Sequence, residues 1–214
     1  MGGDIKLRPF FERDIPALSE ILRDLWHDDV APSEYALLEA KRDLIDCLSR
    51  SDFAVVAELD GDAVGVCSAR LGHAASPDDA WEDRLERTDQ LMSERYPDQA
   101  RHYRIRIEGE HRCDGQLIEA AGITMESELV VLALGERARG HGAGRKLLQA
   151  ACDRLALEGA RAAYLFTDSD CTWQFYEHLG FSRAAAVAPA DADELDLPDE
   201  MYLYRTELPL APRA

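Results

Sequence analysis

The segment Leu132-Ala133-Leu134-Gly135-Glu136-Arg137-Ala138-Arg139-Gly140-His141-Gly142-Ala143-Gly144-Arg145-Lys146-Leu147-Leu148 runs from apolar residues through glycines into a helical pattern. The residues upstream, Glu128 to Leu134, are apolar after the first and predict a strand buried on both faces. Gly135 to Gly144 reads as a turn. A helix follows from about Ala143 to Glu158, burying Leu147, Leu148, Ala151 and Leu155, and Gly159 ends it. The first N–H groups of a helix have no intrahelical partner and the helix dipole is positive there, so such a turn can hold phosphate. Gly140, Gly142 and Gly144 remove side chains that would block the approach. Arg137, Arg139, Arg145 and Lys146 add positive charge. The competing reading is a strand–helix turn whose glycines serve tight packing alone.

Two common phosphate motifs do not fit. The nucleotide P-loop needs Lys and then Ser or Thr after its last glycine, where this chain has Arg145 and Lys146. The dinucleotide fingerprint needs a third glycine where Arg145 stands.

Outward from this segment, the pattern alternates between strands and helices. Ile5 to Arg8 predicts a first strand. Asp14 is a candidate cap for a helix carrying Leu18, Ile21, Leu22 and Leu25 on one face. A second helix after Pro32-Ser33 has the stripe Leu37, Leu38, Leu44, Ile45 and Leu48. Phe53 to Leu59 and Ala63 to Leu71 are strands joined by an Asp60-Gly61-Asp62 hairpin turn. From His73 to Thr124 the pattern is less regular. Ser76-Pro77-Asp78-Asp79 starts a helix that ends before Pro97, and Tyr103 to Ile107 reads as a strand. Ala162 to Phe166 is a buried strand and Thr172 to His178 a short helix. Phe181 to Val187 and Met201 to Leu208 form a final antiparallel pair, joined by an acidic run read as a solvated loop. The tail from Pro209 is expected to fray. One domain over residues 1–208 is expected, with an insertion at about 73–124.

Composition narrows the class. The 214 residues are 46% hydrophobic, enough for a core, and no apolar run approaches the roughly eighteen residues of a membrane span. The N-terminus lacks the apolar region of a secretory signal. Five cysteines without a CxxC pair, and six histidines without ligand spacing, point to a reducing cytoplasm and no metal site. The net charge of -18 disfavours nucleic acid and would attract a cationic substrate.

Arg139-x-x-Gly142-x-Gly144 matches the R/Q-x-x-G-x-G/A motif of the GNAT superfamily of N-acetyltransferases. Phe175-Tyr176-Glu177-His178-Leu179-Gly180-Phe181 resembles that family's second signature, at the usual spacing. The resemblance implies a mixed, curved sheet with helices on both faces and two central strands that splay around the pantetheine arm of acetyl-CoA. It implies that Leu132 and Leu134 contact the pantetheine through their backbone. The backbone of Arg139, Gly140, His141, Gly142, Ala143, Gly144 and Arg145 would hold the pyrophosphate. Tyr176 matches the tyrosine that protonates the departing thiolate. Glu128, near the start of the central strand with Glu126 two residues before it, is the candidate base. Many members carry Asn seven residues before the tyrosine, where this chain has Ser169, whose hydroxyl can make one such bond.

The activity implied is acetyl transfer from acetyl-CoA to an amine by direct attack, without a metal. The alternative is an acyl-CoA sensor on the same fold that releases no thiol. The acceptor is expected to be a small-molecule amine or a protein amine. Neither a nucleic acid nor a membrane is expected as partner, and a homodimer is compatible with the sequence. Asp78, Asp79, Glu82, Asp83 and Glu86 favour a cationic acceptor. Arg84, Arg87, Arg95, Arg101, Arg104 and Arg106, in the same stretch, could instead clamp an acceptor carboxylate.

Overall fold

Seven strands form a sheet in the order β1-β2-β3-β4-β5-β7-β6 in a computed structural model that describes residues 4–72 and 79–210. The chain order is β1 (Lys6–Pro9), α1 (Ile15–Trp26), α2 (Ser33–Ser49), β2 (Phe53–Leu59), β3 (Asp62–Arg70), α3 (Asp79–Arg95), α4 (Pro97–Ala121) and β4 (Ser127–Leu134). There follow α5 (Ala143–Leu157), β5 (Ala162–Asp168), α6 (Gln174–His178), β6 (Ser182–Val187), α7 (Ala192–Leu195) and β7 (Met201–Glu207). The sheet is mixed: β4 pairs with β5 in parallel, while β1–β2, β2–β3, β5–β7 and β6–β7 are antiparallel. The described residues fall into two compact units. One comprises β1 to β3, α1 to α3, most of β4 and the start of α5; the other holds α4, the first residues of β4, the rest of α5, and β5 to β7.

In the first unit the core follows the predicted periodicities. Leu18 and Leu22 of α1 and Leu44 of α2 pack on Val56, Val66 and Val131. Each such side chain contributes about 1.5–3 kcal/mol on burial. On the opposite face of β3, Gly65 is required: a Cβ there would lie 2.9 Å from the Ala133 carbonyl oxygen and 3.4 Å from Leu147 of α5. Helices therefore cover both faces. Asp60 and Gly61 both take positive φ, 53° and 93°, so the hairpin turn falls where the sequence predicts it, with Asp62 already paired to Leu59 as the first residue of β3.

In the second unit, Cys113 and Leu117 of α4 pack against Tyr164, Met201 and Leu203. By strand alternation Tyr202 and Tyr204 face the other way, and Tyr204 meets Tyr176 of α6 with ring centroids 6.3 Å apart.

Several sequence expectations need correction. Tyr103 to Ile107 is not a strand but part of the 25-residue helix α4. The local alternation is outweighed by a helical stripe, Ala100, Tyr103, Cys113 and Leu117, which is buried while Ile105 is exposed. Asp14 does not cap α1 with its side chain; it is buried and accepts from the Phe11 N–H and the Arg8 guanidinium, tying β1 to the start of α1. In α2 the buried stripe is Tyr35, Ala36, Ala40, Leu44, Ile45 and Leu48, with Leu37 and Leu38 only half-buried. The acidic connection before β7 is not simply a solvated loop: it contains α7, buries Leu197, and joins Asp191 to Arg112 at 2.7 Å. Ser76 to Asp78 and the tail beyond residue 210 lie outside the described residues.

One buried group in the first unit escapes any periodicity argument. His27, just after α1 and 2% exposed, has Nδ1 at 3.1 Å from Glu39 and Nε2 at 2.9 Å from Asp43, both on α2. Both ring nitrogens face carboxylate oxygens, which asks for two donors and hence the imidazolium. Burial opposes that charge, but the hydrogen bonds and charges of Asp43 and Glu39 outweigh it and raise the pKa from 6.5 to about 9. The folded value lies above the unfolded one, so this stabilisation is complete below about pH 6.5 and lost as pH rises through about 9. Its full size is about 3 kcal/mol. An NMR titration of His27 should give a pKa near 9. A value at or below 6.5 would mean that the imidazolium is absent from the α1–α2 joint.

Candidate active site

The exit from β4 is fixed first. The Gly135 N–H donates to the Val64 carbonyl oxygen at 3.0 Å, and a Cβ at Gly135 would press on Ile21 at 3.1 Å. A short 3-10 turn, Glu136–Ala138, follows, with Ala138 buried. The chain then extends at Arg139 and passes through Gly140 at φ 78° and Gly142 at φ 66°, conformations that L side chains rarely adopt. A Cβ at either glycine would meet nothing within 4 Å among the described residues, so the backbone is open to a ligand there. Helix α5 begins at Ala143, and the Lys146 N–H donates to the Gly142 carbonyl oxygen at 3.1 Å. The amides of Ala143, Gly144 and Arg145 precede any intrahelical acceptor. Ala143 and Gly144 are buried, whereas Arg139, His141, Arg145 and Lys146 are exposed around the turn. His141 Nδ1 sits 3.0 Å from the Arg139 carbonyl oxygen and braces the loop. Arg137 is held elsewhere, in an ion pair with Asp62 at 2.7 Å. Leu132 and Leu134 are half-buried in the strand that feeds this turn.

The second unit holds the remaining predicted residues. Glu128 is only 2% exposed and stands opposite Tyr164 in the β4–β5 ladder. The Tyr164 hydroxyl donates to Glu128 Oε2 at 3.2 Å. Glu126 accepts from Arg205 Nε at 3.1 Å, and its Oε2 is buried without a hydrogen-bond partner among the described residues. Tyr164 and Arg205 were not singled out from the sequence. Tyr164 carries a usable signal: a phenol in the buried run Ala162 to Phe166 needs a polar partner.

Tyr176 is half-buried among the rings of Phe175, Phe181 and Tyr204, at centroid distances of 5.4, 6.0 and 6.3 Å. Ser169 is already engaged: its hydroxyl accepts the Glu200 N–H at 3.4 Å and lies 3.3 Å from Asp170 Oδ1. Asp168 accepts the backbone N–H groups of Asp170 and Cys171 and the Cys171 thiol. Burial raises the Asp168 carboxyl above its ordinary value. Burial, followed by the charge of Asp168, pushes the Cys171 thiol up to about 12, which removes it as a nucleophile near neutral pH.

The model of the acetyltransferase (GNAT) family matches residues 15–181. The chain belongs to that family. Solved structures of similar fold include SsHAT, 18% identical with TM-score 0.61 over 95% of this chain and 98% of that one. Ard1 from Thermoplasma volcanium is 15% identical, with TM-score 0.56 over 95% and 97%. A mosquito arylalkylamine N-acetyltransferase, like 5b, is 17% identical, with TM-score 0.52 over 96% and 100%. No curated protein matches the chain. At these identities the structures speak for the fold of this GNAT chain alone.

If the glycine turn holds the CoA pyrophosphate, acetyl-CoA at a hundredfold excess over Kd should raise Tm by about 5–10 °C. Gly142→Val should remove that rise, because its side chain would occupy the open space and strain the positive φ. Equal shifts in the two proteins, measured by scanning calorimetry, would place the cofactor elsewhere.

Proposed function

We propose that the protein moves an acetyl group from acetyl-CoA to a primary amine. The observation that carries this reading is the turn at Arg139 to Arg145, whose positive-φ glycines leave the amides at the start of α5 open to phosphate. The residues present fit that group: small at the backbone, with Arg139, Arg145 and Lys146 exposed around it. Membership of the family supports acetyl transfer as the chemistry.

The step follows from these roles. A neutral amine attacks the thioester carbonyl, so a C–N bond forms and the C–S bond breaks. Backbone N–H donors near Leu132 and Leu134 would polarise the carbonyl as its oxygen gains charge. Glu128 takes the proton the amine loses, directly or through water. Its burial and the hydrogen bond from Tyr164 keep the carboxylate fixed, and a fixed base loses little in reorganisation. Tyr176 gives its proton to the leaving thiolate. Reference pKa values of about 10 for phenol and about 8.5 for thiol make that transfer uphill unless the site assists it. Ser169 contributes less than the family's asparagine would, because its hydroxyl already serves Glu200.

A cationic acceptor agrees with the net charge of -18. Several of the arginines that could clamp a carboxylate have acidic partners: Arg84 pairs with Glu12 at 2.8 Å, Arg87 with Asp83 at 3.9 Å and Arg106 with Glu110 at 2.5 Å. Thiol release from acetyl-CoA should therefore be faster with spermidine than with a free amino acid, and kcat/KM for spermidine should fall as salt rises. Preference for the amino acid, with no salt effect on spermidine, would overturn the electrostatic reading. Tyr176→Phe should lower kcat by roughly 10²–10⁴-fold with little change in acetyl-CoA affinity. An unchanged kcat would assign Tyr176 to packing.

A further inference from the structure

Helix α6 is five residues long and none of them is buried. A single turn is not stable on its own, because nucleation costs more than one turn of hydrogen bonds returns. Its place must be set by what its side chains and the residues flanking it reach. Those ties run to the face of β7 that carries Tyr202, Tyr204 and Thr206. The Tyr204 hydroxyl donates to Glu177 Oε1 at 2.8 Å. The Tyr204 ring packs on Tyr176, the Trp173 ring meets Tyr202 edge-on at 6.1 Å, and the Thr206 hydroxyl reaches the Gly180 carbonyl oxygen at 3.4 Å.

Tyr204 is itself oriented. Arg183, across the β6–β7 pair, donates from Nε to the Tyr204 hydroxyl oxygen at 3.0 Å. With that lone pair taken, the phenol proton is directed to Glu177. The Arg183 guanidinium is fixed in turn by aromatic faces: it lies 3.7 Å from the Tyr202 centroid, 4.7 Å from Trp173 and 5.5 Å from Tyr204. The chain Arg183–Tyr204–Glu177 thus links two sheet strands to the turn that bears Tyr176. Tyr204 is fully buried, so its ring is a rigid anchor.

We propose that Tyr204 is a positioning residue for acetyl transfer, holding α6, and with it the Tyr176 hydroxyl, through Glu177 under the direction of Arg183. The proposal rests on the reading of Tyr176 as the acid. It gives the aromatic face of β7 a part in catalysis although none of its residues need touch substrate.

The test is Tyr204→Phe, which keeps the ring and the core and removes only the hydroxyl. Amide hydrogen exchange needs no acceptor. Protection at Leu179, Gly180 and Phe181, whose N–H groups close α6, should fall, while the β5–β7 ladder stays protected. With acetyl-CoA and spermidine, kcat should drop roughly ten- to a hundredfold, the effect of losing one hydrogen bond to a charged group, and the acetyl-CoA KM should stay within about twofold. The double variant Tyr176→Phe/Tyr204→Phe should be no slower than Tyr176→Phe, because Tyr204 acts through Tyr176. Glu177→Gln, which keeps an acceptor for the phenol, should retain more activity than Glu177→Ala. Unchanged protection in Tyr204→Phe would overturn the proposal, as would additive losses in the double variant, which leave the acid reading intact. Lost protection with full kcat in both single variants would overturn the acid reading and the catalytic part of the proposal together.

Discussion

The first amides of α5 have no carbonyl behind them to bond, and the backbone before them is held open by Gly140 and Gly142 at positive φ. The turn stays in that shape because its entrance is clamped. The Gly135 N–H bonds to Val64, Ile21 closes over Gly135, and Ala138 is buried. Its exit is clamped by Leu147 and Leu148, both fully buried, which anchor α5. A helix start with open donors and a fixed backbone offers an anion a site with little to reorganise. The cationic side chains around it are exposed, so they add long-range attraction and leave the geometry to the backbone.

The second unit solves a different problem. Its functional candidates are polar groups in an apolar setting: Glu128 beside Tyr164, Glu126 beside Arg205, and Tyr176 on Tyr204. Each buried oxygen is costly unless a donor meets it. The donors come from the same strands that build the core. Successive residues alternate in what they serve, with Tyr164 of β5 and Leu203 of β7 under α4 and Tyr202 and Tyr204 of β7 under the aromatic layer at α6.

Sequence patterns revealed elements whose local periodicity and burial agree. The strand–turn–helix at 128–158, the Asp60-Gly61 hairpin and the buried face of α5 all read directly, because one-dimensional spacing fixes which side is apolar. The family motifs were legible for the same reason: they sit in contiguous backbone. Tyr103 to Ile107 misled because five alternating residues are too short to compete with a stripe extending from Ala100 to Leu117. Pairings between distant elements had no local signature. His27 with Glu39 and Asp43, Arg205 with Glu126, and Arg183 with Tyr204 depend on contacts that spacing does not encode. Asp14 shows the same limit: its type and place suit a helix cap, yet Arg8 claims it.

Acetyl transfer to an amine requires that the acetyl group leave CoA for nitrogen. The most direct measurement is mass spectrometry after incubation with carbon-13-labelled acetyl-CoA and a panel of primary amines and lysine peptides, with free thiol counted in parallel. Acetyl transfer by direct attack predicts an acceptor that gains one labelled acetyl group for each thiol released, with no label on the protein's own cysteines. Saturable binding of acetyl-CoA without labelled amine or free thiol for any acceptor would contradict it and leave an acyl-CoA-binding protein in its place.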